Sequence, residues 1–174
     1  ANLGSLKTDH AINRTLSYSF TPTGTTYLAR VTMTYHHTGT FDWRTTRYRD
    51  YVRVYVPDGS VFVTTTNNVA PVDTGTNLGK TWFGTFISVE PGTTKSLTFQ
   101  YLLPQAIAHQ IKHGLYTLIV QKELGTNGIG LTLNLDFGIT LTGAAPPEKK
   151  NQWGDDRYVY QTNLNTDRDF HINF

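Results

Sequence analysis

The chain has 174 residues, a net charge of +2 and no cysteine. This length is enough for one domain with its own core, and the lack of cysteine excludes a disulfide framework, a thiolate metal site and a cysteine nucleophile. About one residue in six is threonine and tyrosine is the commonest aromatic residue, which favours strands and turns over helices. Because the net charge is so low, no nucleic-acid partner is expected.

Two segments near the start alternate apolar and polar residues, and each predicts a strand. The first extends from Ala11 to Phe20 and ends at the turn signal Thr21-Pro-Thr-Gly24. The second extends from Tyr27 to His36, and we expect it to pair antiparallel with the first. His37 to Thr46 has no clear periodicity, so we predict a loop, the kind of segment in which functional residues concentrate.

The segment from Arg47 to Pro57 alternates strictly and predicts a central strand with one face in the core. Asp50 lies on the core side, and burying a carboxylate alone costs several kcal/mol, so it must find a partner or lie at the edge of the core. The two predicted faces carry Val52, Val54 and Val56 towards the core and Tyr51, Arg53 and Tyr55 away from it.

The middle of the chain predicts three further strands. Ser60 to Thr65 is a short strand, and Asn67 to Gly79 is a polar loop. Lys80 to Val89 has bulky side chains on both faces, which is typical of a strand that is covered on two sides or capped by a loop. The segment from Val89 to Tyr101 begins with a turn and then alternates, and it resembles the turn and strand of bacterial immunoglobulin-like domains.

The last third predicts one helix and more strands. Pro104 to His113 groups its apolar residues on one side, with Gly114 as a stop signal. Leu115 to Glu123 and the strongly alternating Leu131 to Leu141 are predicted to form a hairpin around the turn 125–128. Residues 143–152 are a linker-like segment before a predicted C-terminal hairpin at 153–174.

Many short strands with turn signals between them predict an all-β fold in a single domain, 1–174. The arrangement that we expect is an antiparallel β-sandwich of two sheets, immunoglobulin-like, with one short helix; a jelly roll is the second choice.

Several spaced segments resemble the C-terminal region of uncharacterised bacterial membrane-anchored surface proteins known as domain of unknown function 4012. The segments are residues 2–9 with Arg14, Trp43-Arg-Thr-Thr, Tyr51-Val-Arg-Val-Tyr-Val-Pro57, Leu78-Gly-Lys-Thr-Trp-Phe-Gly84 and Thr166-Asp-Arg-Asp-Phe170. The resemblance implies an extracytoplasmic location, at the cell surface or envelope, and the family offers no known activity to carry over to this chain. With no apolar run near 18 residues, contact with a membrane is expected only through an anchor outside this chain.

One set of residues is predicted to bind a ligand. Aromatic rings and arginines can stack on sugars or bases, although exposed pairs of this kind also stabilise sheets. We place a glycan ahead of single-stranded nucleic acid because of the low charge. The predicted ligand-binding residues are Trp43, Arg44, Tyr51, Arg53 and Tyr55.

No metal, cofactor or catalytic residue is predicted. His109 and His113 have the spacing of a zinc-protease helix, but Gln110 stands where that chemistry needs Glu. The oxygen-bearing residues from Asn163 to Asp169 lack the glycine and closing glutamate of an EF-hand. A Lys cross-link from Lys7 to Asn134 or Asp136, assisted by Asp50, is disfavoured because these groups fall outside the predicted core.

Two functions are compatible with this pattern. The first is a non-catalytic, extracytoplasmic module with a spacer or adhesion role and a surface protein or glycan as partner. The second is a carbohydrate-binding module that uses the Trp, Tyr and Arg face.

Overall fold

The computed structural model describes residues 6–123 and 128–174. One 3-10 helix, Thr8–Ala11, precedes the first strand, and another covers Lys150–Gln152. The other elements are β1 (Ile12–Thr23), β2 (Thr26–His37), β3 (Tyr48–Pro57), β4 (Val61–Thr66), β5 (Asp73–Asn77), β6 (Lys80–Val89), β7 (Thr94–Leu102), α1 (Gln105–Lys112), β8 (Leu115–Val120), β9 (Gly130–Asp136), β10 (Gly143–Ala145), β11 (Arg157–Asn163) and β12 (Arg168–Asn173).

The strands form one large sheet and two small ones, stacked as two layers. The large sheet has the order β11-β9-β1-β2-β7-β4, and the small sheets have the orders β3-β6-β5 and β10-β12-β8. Ring contacts between Phe83 and Tyr101 join the first small sheet to the large one, and contacts between Phe20 and Tyr116 join the second. The predicted all-β sandwich with one short helix is therefore confirmed.

Period-two alternation decides which residues fill the space between the layers. In β9 the leucines at 131, 133 and 135 are buried, while Asn134 between them is exposed. The predicted hairpin of β1 and β2 is confirmed, with Ile12 opposite His37 and Thr23 opposite Thr26. β1 and β9 run parallel, whereas the other strand pairs of the described residues are antiparallel.

β3 keeps its predicted alternation but not its predicted position. Val52 and Val56 are buried, and Arg53 and Tyr55 are exposed, as expected. The strand lies at the edge of its sheet, however, and β6 is the central strand. Asp50 is buried and accepts a hydrogen bond from Tyr35 Oη (3.2 Å), so this carboxylate has the predicted partner.

Both predicted hairpins of the C-terminal third are wrong in their pairing. β8 pairs with β12, and β9 pairs with β1 and β11, so the strands at either side of turn 125–128 belong to different sheets. Of that turn, residues 125–127 lie outside the described part. β11 and β12 are likewise separated, since β11 edges the large sheet and β12 is central in a small one. Alternation fixes a strand's faces but not its partner.

The linker-like segment 143–152 is in fact packed against the sandwich. It contains β10, and Glu148 Oε1 accepts a hydrogen bond from the Val159 N–H on the edge strand β11 (2.6 Å). Tyr158 Oη donates to the Pro146 carbonyl (2.7 Å) at the same edge. The segment thus covers an edge that would otherwise expose unpaired backbone groups. The predicted helix is confirmed as α1, and Gly114 after it has the positive φ of +92° typical of a helix stop.

Candidate functional site

The side of the β3-β6-β5 sheet that faces away from the core carries large aromatic rings. Register brings them together: Tyr51 is opposite Phe86 and Tyr55 is opposite Trp82 on β6, while Asp73 of β5 is opposite Gly84. We call this surface the aromatic face, and it consists of Tyr51, Arg53, Tyr55, Asp73, Trp82 and Phe86.

Two glycines allow the rings to lie against the backbone of the neighbouring strand. A Cβ at Gly84 would lie 2.5 Å from Tyr51 Oη, and a Cβ at Gly75 would lie 2.7 Å from Trp82 Cζ2. Such distances are too short for any side chain, so each glycine leaves the room that a ring fills. Phe86 contacts Tyr51 edge to face, with ring centroids 4.8 Å apart. The rings therefore form a low, continuous surface across three strands.

Tyr51 is fixed by a hydrogen bond that crosses the sheet. Its Oη on β3 donates to Asp73 Oδ2 on β5 (2.8 Å) and passes over the central strand at Gly84. Partial removal of the phenol from water and this hydrogen bond raise the pKa of Tyr51. The phenol therefore stays a protonated donor at neutral pH, and the Asp73 carboxylate keeps its other oxygen for a ligand.

Arg53 lies between rings and is held by a phenol. Its Cζ is 4.0 Å from the ring centroid of Trp82 and 5.7 Å from that of Tyr51, and its Nη1 donates to Tyr55 Oη (3.3 Å). Hydrogen bonds to Tyr55 and Tyr51 raise the pKa of Arg53. Stacking on an indole holds a guanidinium in a plane while its outer donors stay available.

The aromatic face combines the groups that sugar recognition needs. Flat rings can receive the C–H side of a sugar ring, while Arg53 supplies donors and Asp73 supplies an acceptor for hydroxyl groups. Tyr55 is 45% exposed and Arg53 is also exposed, so a ligand can reach both. The face is an open platform rather than a closed cavity, which suits a chain-like ligand that lies across it.

The structure divides the predicted ligand-binding residues into two places. Tyr51, Arg53 and Tyr55 share the aromatic face, whereas Trp43 and Arg44 lie in the loop that precedes β3. Sequence reasoning missed Asp73, Trp82 and Phe86 as site residues. The bulk on both faces of residues 80–89 was the available signal, because Trp82 and Phe86 lie half-buried on the side of β6 opposite the buried Phe83.

A second polar cluster lies inside the fold and has a structural role. Arg14 lies between the rings of Tyr35 and Tyr48, donates to Tyr48 Oη (2.6 Å) and pairs with Asp9. Burial alone would lower the pKa of Arg14, but Tyr48 and Asp9 outweigh it and the net shift is upward. Burial raises the pKa of Tyr48. The positive charge of Arg14 is thus stabilised by its contacts with Tyr35, Tyr48 and Asp9.

The other residue groups singled out in the sequence have ordinary environments. The rings of His109 and His113 are 6.1 Å apart on an exposed side of α1. The Asn163 carbonyl accepts from Arg168 Nε (2.9 Å) within the turn, and Asp167 Oδ1 accepts from the N–H of Lys122 (2.8 Å), which is distant in the chain. Within residues 6–123 and 128–174, no group of three or more His, Cys, Asp or Glu side chains could hold a metal ion.

The cross-link geometry is also unfavourable. Lys7 is exposed to water, which stabilises its positive charge, and Asn134 is exposed on β9. Asp136 lies 3.5 Å from Arg157 in an ion pair. The amine and its proposed acceptors therefore lack the shared apolar setting that this chemistry requires.

Comparison with known proteins gives no family for this chain. No family model matches it, and no curated protein is significantly similar to it. None of the helices in the described ranges has the length and apolar character of a membrane span.

Proposed function

We propose that this chain is a non-catalytic module of a bacterial cell-surface protein and that it binds carbohydrate through the aromatic face, in an adhesion role. The observation that carries the proposal is the stacking of Arg53 on Trp82, with Cζ 4.0 Å from the ring centroid. The neighbouring rings lie close to the sheet because Gly75 and Gly84 leave room for them. Polar groups and rings are thus fixed before a ligand arrives, which lowers the entropy lost on binding.

Stability alone does not account for this surface. Trp82 and Phe86 point away from the core, and Gly75 and Gly84 weaken the strands that carry them. A strand position that faces water is filled at little cost by threonine, which has high strand propensity. Two glycines and four exposed or half-exposed rings on one small sheet are therefore better explained by a ligand.

The charges of the aromatic face favour a sugar over a nucleic acid. Arg53 and Asp73 place one positive and one negative group on the same platform. A carboxylate in that position repels phosphates, whereas it is a good acceptor for sugar hydroxyls. The bacterial, extracytoplasmic setting is supported by the family resemblance of segments such as Tyr51-Val-Arg-Val-Tyr-Val-Pro57.

A glycan array followed by calorimetry tests the proposal. We expect a bound polysaccharide whose affinity falls at least about tenfold, or 1.4 kcal/mol, in Trp82→Ala and in Tyr51→Ala, because each variant removes a stacking surface. Thr32→Ala is the matched control, since Thr32 lies on the outer face of the other layer. Trp43→Ala is a second control, because Trp43 lies outside the aromatic face.

Three results would contradict the proposal. If a detected glycan binds Trp82→Ala and Tyr51→Ala as tightly as the wild-type protein, the aromatic face is not its site. Reproducible turnover of any glycan that a single carboxylate substitution abolishes would show that the module is catalytic. An array without any bound glycan would leave the spacer role as the better description.

A further inference from the structure

The loop of residues 38–47 holds two large apolar side chains in water. Phe41 is 66% exposed and Trp43 is 84% exposed, and both lie outside the aromatic face. We call this segment the aromatic loop. Single exposed apolar residues are common on protein surfaces, but two aromatic residues on one short loop form a local patch.

The loop is built around one carboxylate. Asp42 Oδ1 accepts hydrogen bonds from the N–H groups of Arg44 (2.7 Å) and Thr45 (2.6 Å), and Oδ2 accepts from the Thr40 hydroxyl (3.2 Å). The Asp42 N–H donates in turn to the Thr45 carbonyl (3.0 Å). These bonds lower the pKa of Asp42, and they turn its negative charge towards the loop's own backbone.

The base of the loop is fixed by a buried histidine. His37 Nε2–H donates to the Thr46 carbonyl (2.8 Å), and its Nδ1 accepts from the Gly39 N–H (3.1 Å), so both ring nitrogens are used. The Thr46 N–H donates to Thr8 Oγ1 (3.2 Å), which ties the loop to the first 3-10 helix. Phe41 and Trp43 are therefore presented by an ordered loop.

This construction suits entry into the interface of a lipid bilayer. Backbone groups that leave water must already have hydrogen-bond partners, and the loop supplies several of them through Asp42 and His37. Tryptophan is also the side chain that favours the boundary between headgroups and acyl chains. We propose that the aromatic loop inserts Phe41 and Trp43 into the headgroup region of a bilayer that contains anionic lipids.

The charges beside the loop favour anionic lipid. Arg44 lies next to Trp43, and Lys7 is exposed at the start of the 3-10 helix to which Thr46 is bonded. The acids of the loop and its surroundings have partners: Asp42 accepts from the loop's own N–H groups, Asp9 pairs with Arg14 and Glu90 pairs with Arg47. Basic residues near an anionic surface strengthen binding, and salt weakens it.

A protein partner is the weaker explanation. A stable protein interface buries about 800 Å² on each partner, and two side chains on a loop supply only part of that area. A bilayer sets no such minimum, since a few inserted side chains and nearby cations together give weak, reversible attachment.

Vesicle binding tests the inference. The chain is mixed with vesicles of phosphatidylcholine containing phosphatidylglycerol, and the bound fraction is measured by sedimentation. We expect the partition coefficient to fall at least tenfold in Phe41→Ser/Trp43→Ser and severalfold in Arg44→Gln, with weaker binding to pure phosphatidylcholine and in high salt. Leu78→Ser is the matched control, because Leu78 is also 84% exposed but lies at the β5–β6 turn, at the far end of β3.

Brominated lipids give a second readout, which reports whether Trp43 itself enters the bilayer. Quenching of Trp43 fluorescence is expected in wild-type protein and should be lost in Trp43→Phe, which keeps binding. Three results overturn the inference: no binding to anionic vesicles, equal binding by the double Ser variant, or self-association of the protein that depends on Trp43 in the absence of lipid. Circular dichroism confirms that the variants are folded.

Discussion

Two surfaces of this sandwich face water, and they are built from different residues on the same alternating backbone. The outer face of the large sheet is dominated by hydroxyl groups, from Thr15, Ser17, Thr32, Thr34, Ser96, Thr98 and Thr132, and we call it the hydroxyl face. The aromatic face of the β3-β6-β5 sheet carries rings, an arginine and a carboxylate. Either composition is compatible with the same strand geometry, so the difference must be explained by something other than folding.

The hydroxyl face satisfies its own groups. Thr32 and Thr98 are hydrogen bonded across neighbouring strands (2.9 Å), as are Thr34 and Ser96 (2.7 Å). Cross-strand pairs of this kind each contribute about 0.2–1 kcal/mol. On the aromatic face the rings instead lie over Gly75 and Gly84. Glycine has low strand propensity, so these two positions reduce local strand stability in order to make room for the rings. A surface whose residues lower strand propensity is therefore the better candidate for a functional site than one whose residues raise it.

The largest change in unfolding free energy is expected on β6, where Phe83 faces the core and Phe86 faces outward. Phe83 is buried and contacts Phe62 and Tyr101, so Phe83→Ala should cost about 3–5 kcal/mol of unfolding free energy. Phe86 is half-buried on the outer side, and Phe86→Ala should cost about 1 kcal/mol. Urea denaturation followed by circular dichroism measures both. Equal losses would mean that the aromatic face is part of the stabilising core, and the comparison would fail.

A Gly→Ala substitution on each face should change the free energy of unfolding in opposite directions. In Gly84→Ala the new Cβ meets Tyr51 Oη at 2.5 Å, so Tyr51 must move away from Asp73. We expect a loss of about 1 kcal/mol of stability and at least tenfold weaker glycan binding. In Gly130→Ala, beside Thr15, the new Cβ is 3.5 Å from the nearest atom, and a gain of about 0.4–1 kcal/mol is expected because the unfolded chain loses freedom.

Urea denaturation of Gly84→Ala and Gly130→Ala measures the two changes in stability, and calorimetry measures glycan affinity. Unchanged glycan binding in Gly84→Ala would show that the position of Tyr51 does not matter for the ligand.

What the sequence predicts well is local. The faces of β3 follow from period-two alternation, and Tyr51, Arg53 and Tyr55 accordingly share one side of the sheet. The need of Asp50 for a partner follows from the cost of burying a charge, and Tyr35 meets it. Neither inference requires knowledge of which strands are neighbours.

What the sequence does not predict is strand pairing. β5 lies inside the polar stretch 67–79 and reads Asp-Thr-Gly-Thr-Asn, so it carries no apolar alternation, and its role depends on its pairing with β6. Because Asp73 and Gly75 belong to β5, the aromatic face could not be assembled from the sequence. Trp43 was grouped with Tyr51 because they are close in the chain, whereas β3 directs Tyr51 to a surface that the loop does not share.

A smaller effect is expected from the phenol of Tyr51. Tyr51→Phe keeps the ring but removes the hydrogen bond to Asp73, and we expect glycan affinity to fall only a few-fold. In wild-type protein the folded-state pKa of Tyr51 is raised above its ordinary value of 10.0, so the bond is fully present below pH 10 and is lost as the pH rises through the raised pKa. Affinity measured from pH 7 to 11 should therefore stay level and then fall, and the fall should be smaller in Tyr51→Phe. An equal alkaline fall in both proteins would assign the titration to another group.

The smallest effect is expected on the hydroxyl face itself. Thr32→Val replaces one hydroxyl by a methyl group of similar size, and it removes the cross-strand bond to Thr98 while keeping a residue of high strand propensity. Because that bond is partly exposed to water, which can replace it, we expect a change in unfolding free energy within about 0.5 kcal/mol and no change in glycan affinity. Urea denaturation and calorimetry are the measurements. A loss of glycan binding in Thr32→Val would place the ligand on the hydroxyl face, and the functional contrast between the two surfaces would then be reversed.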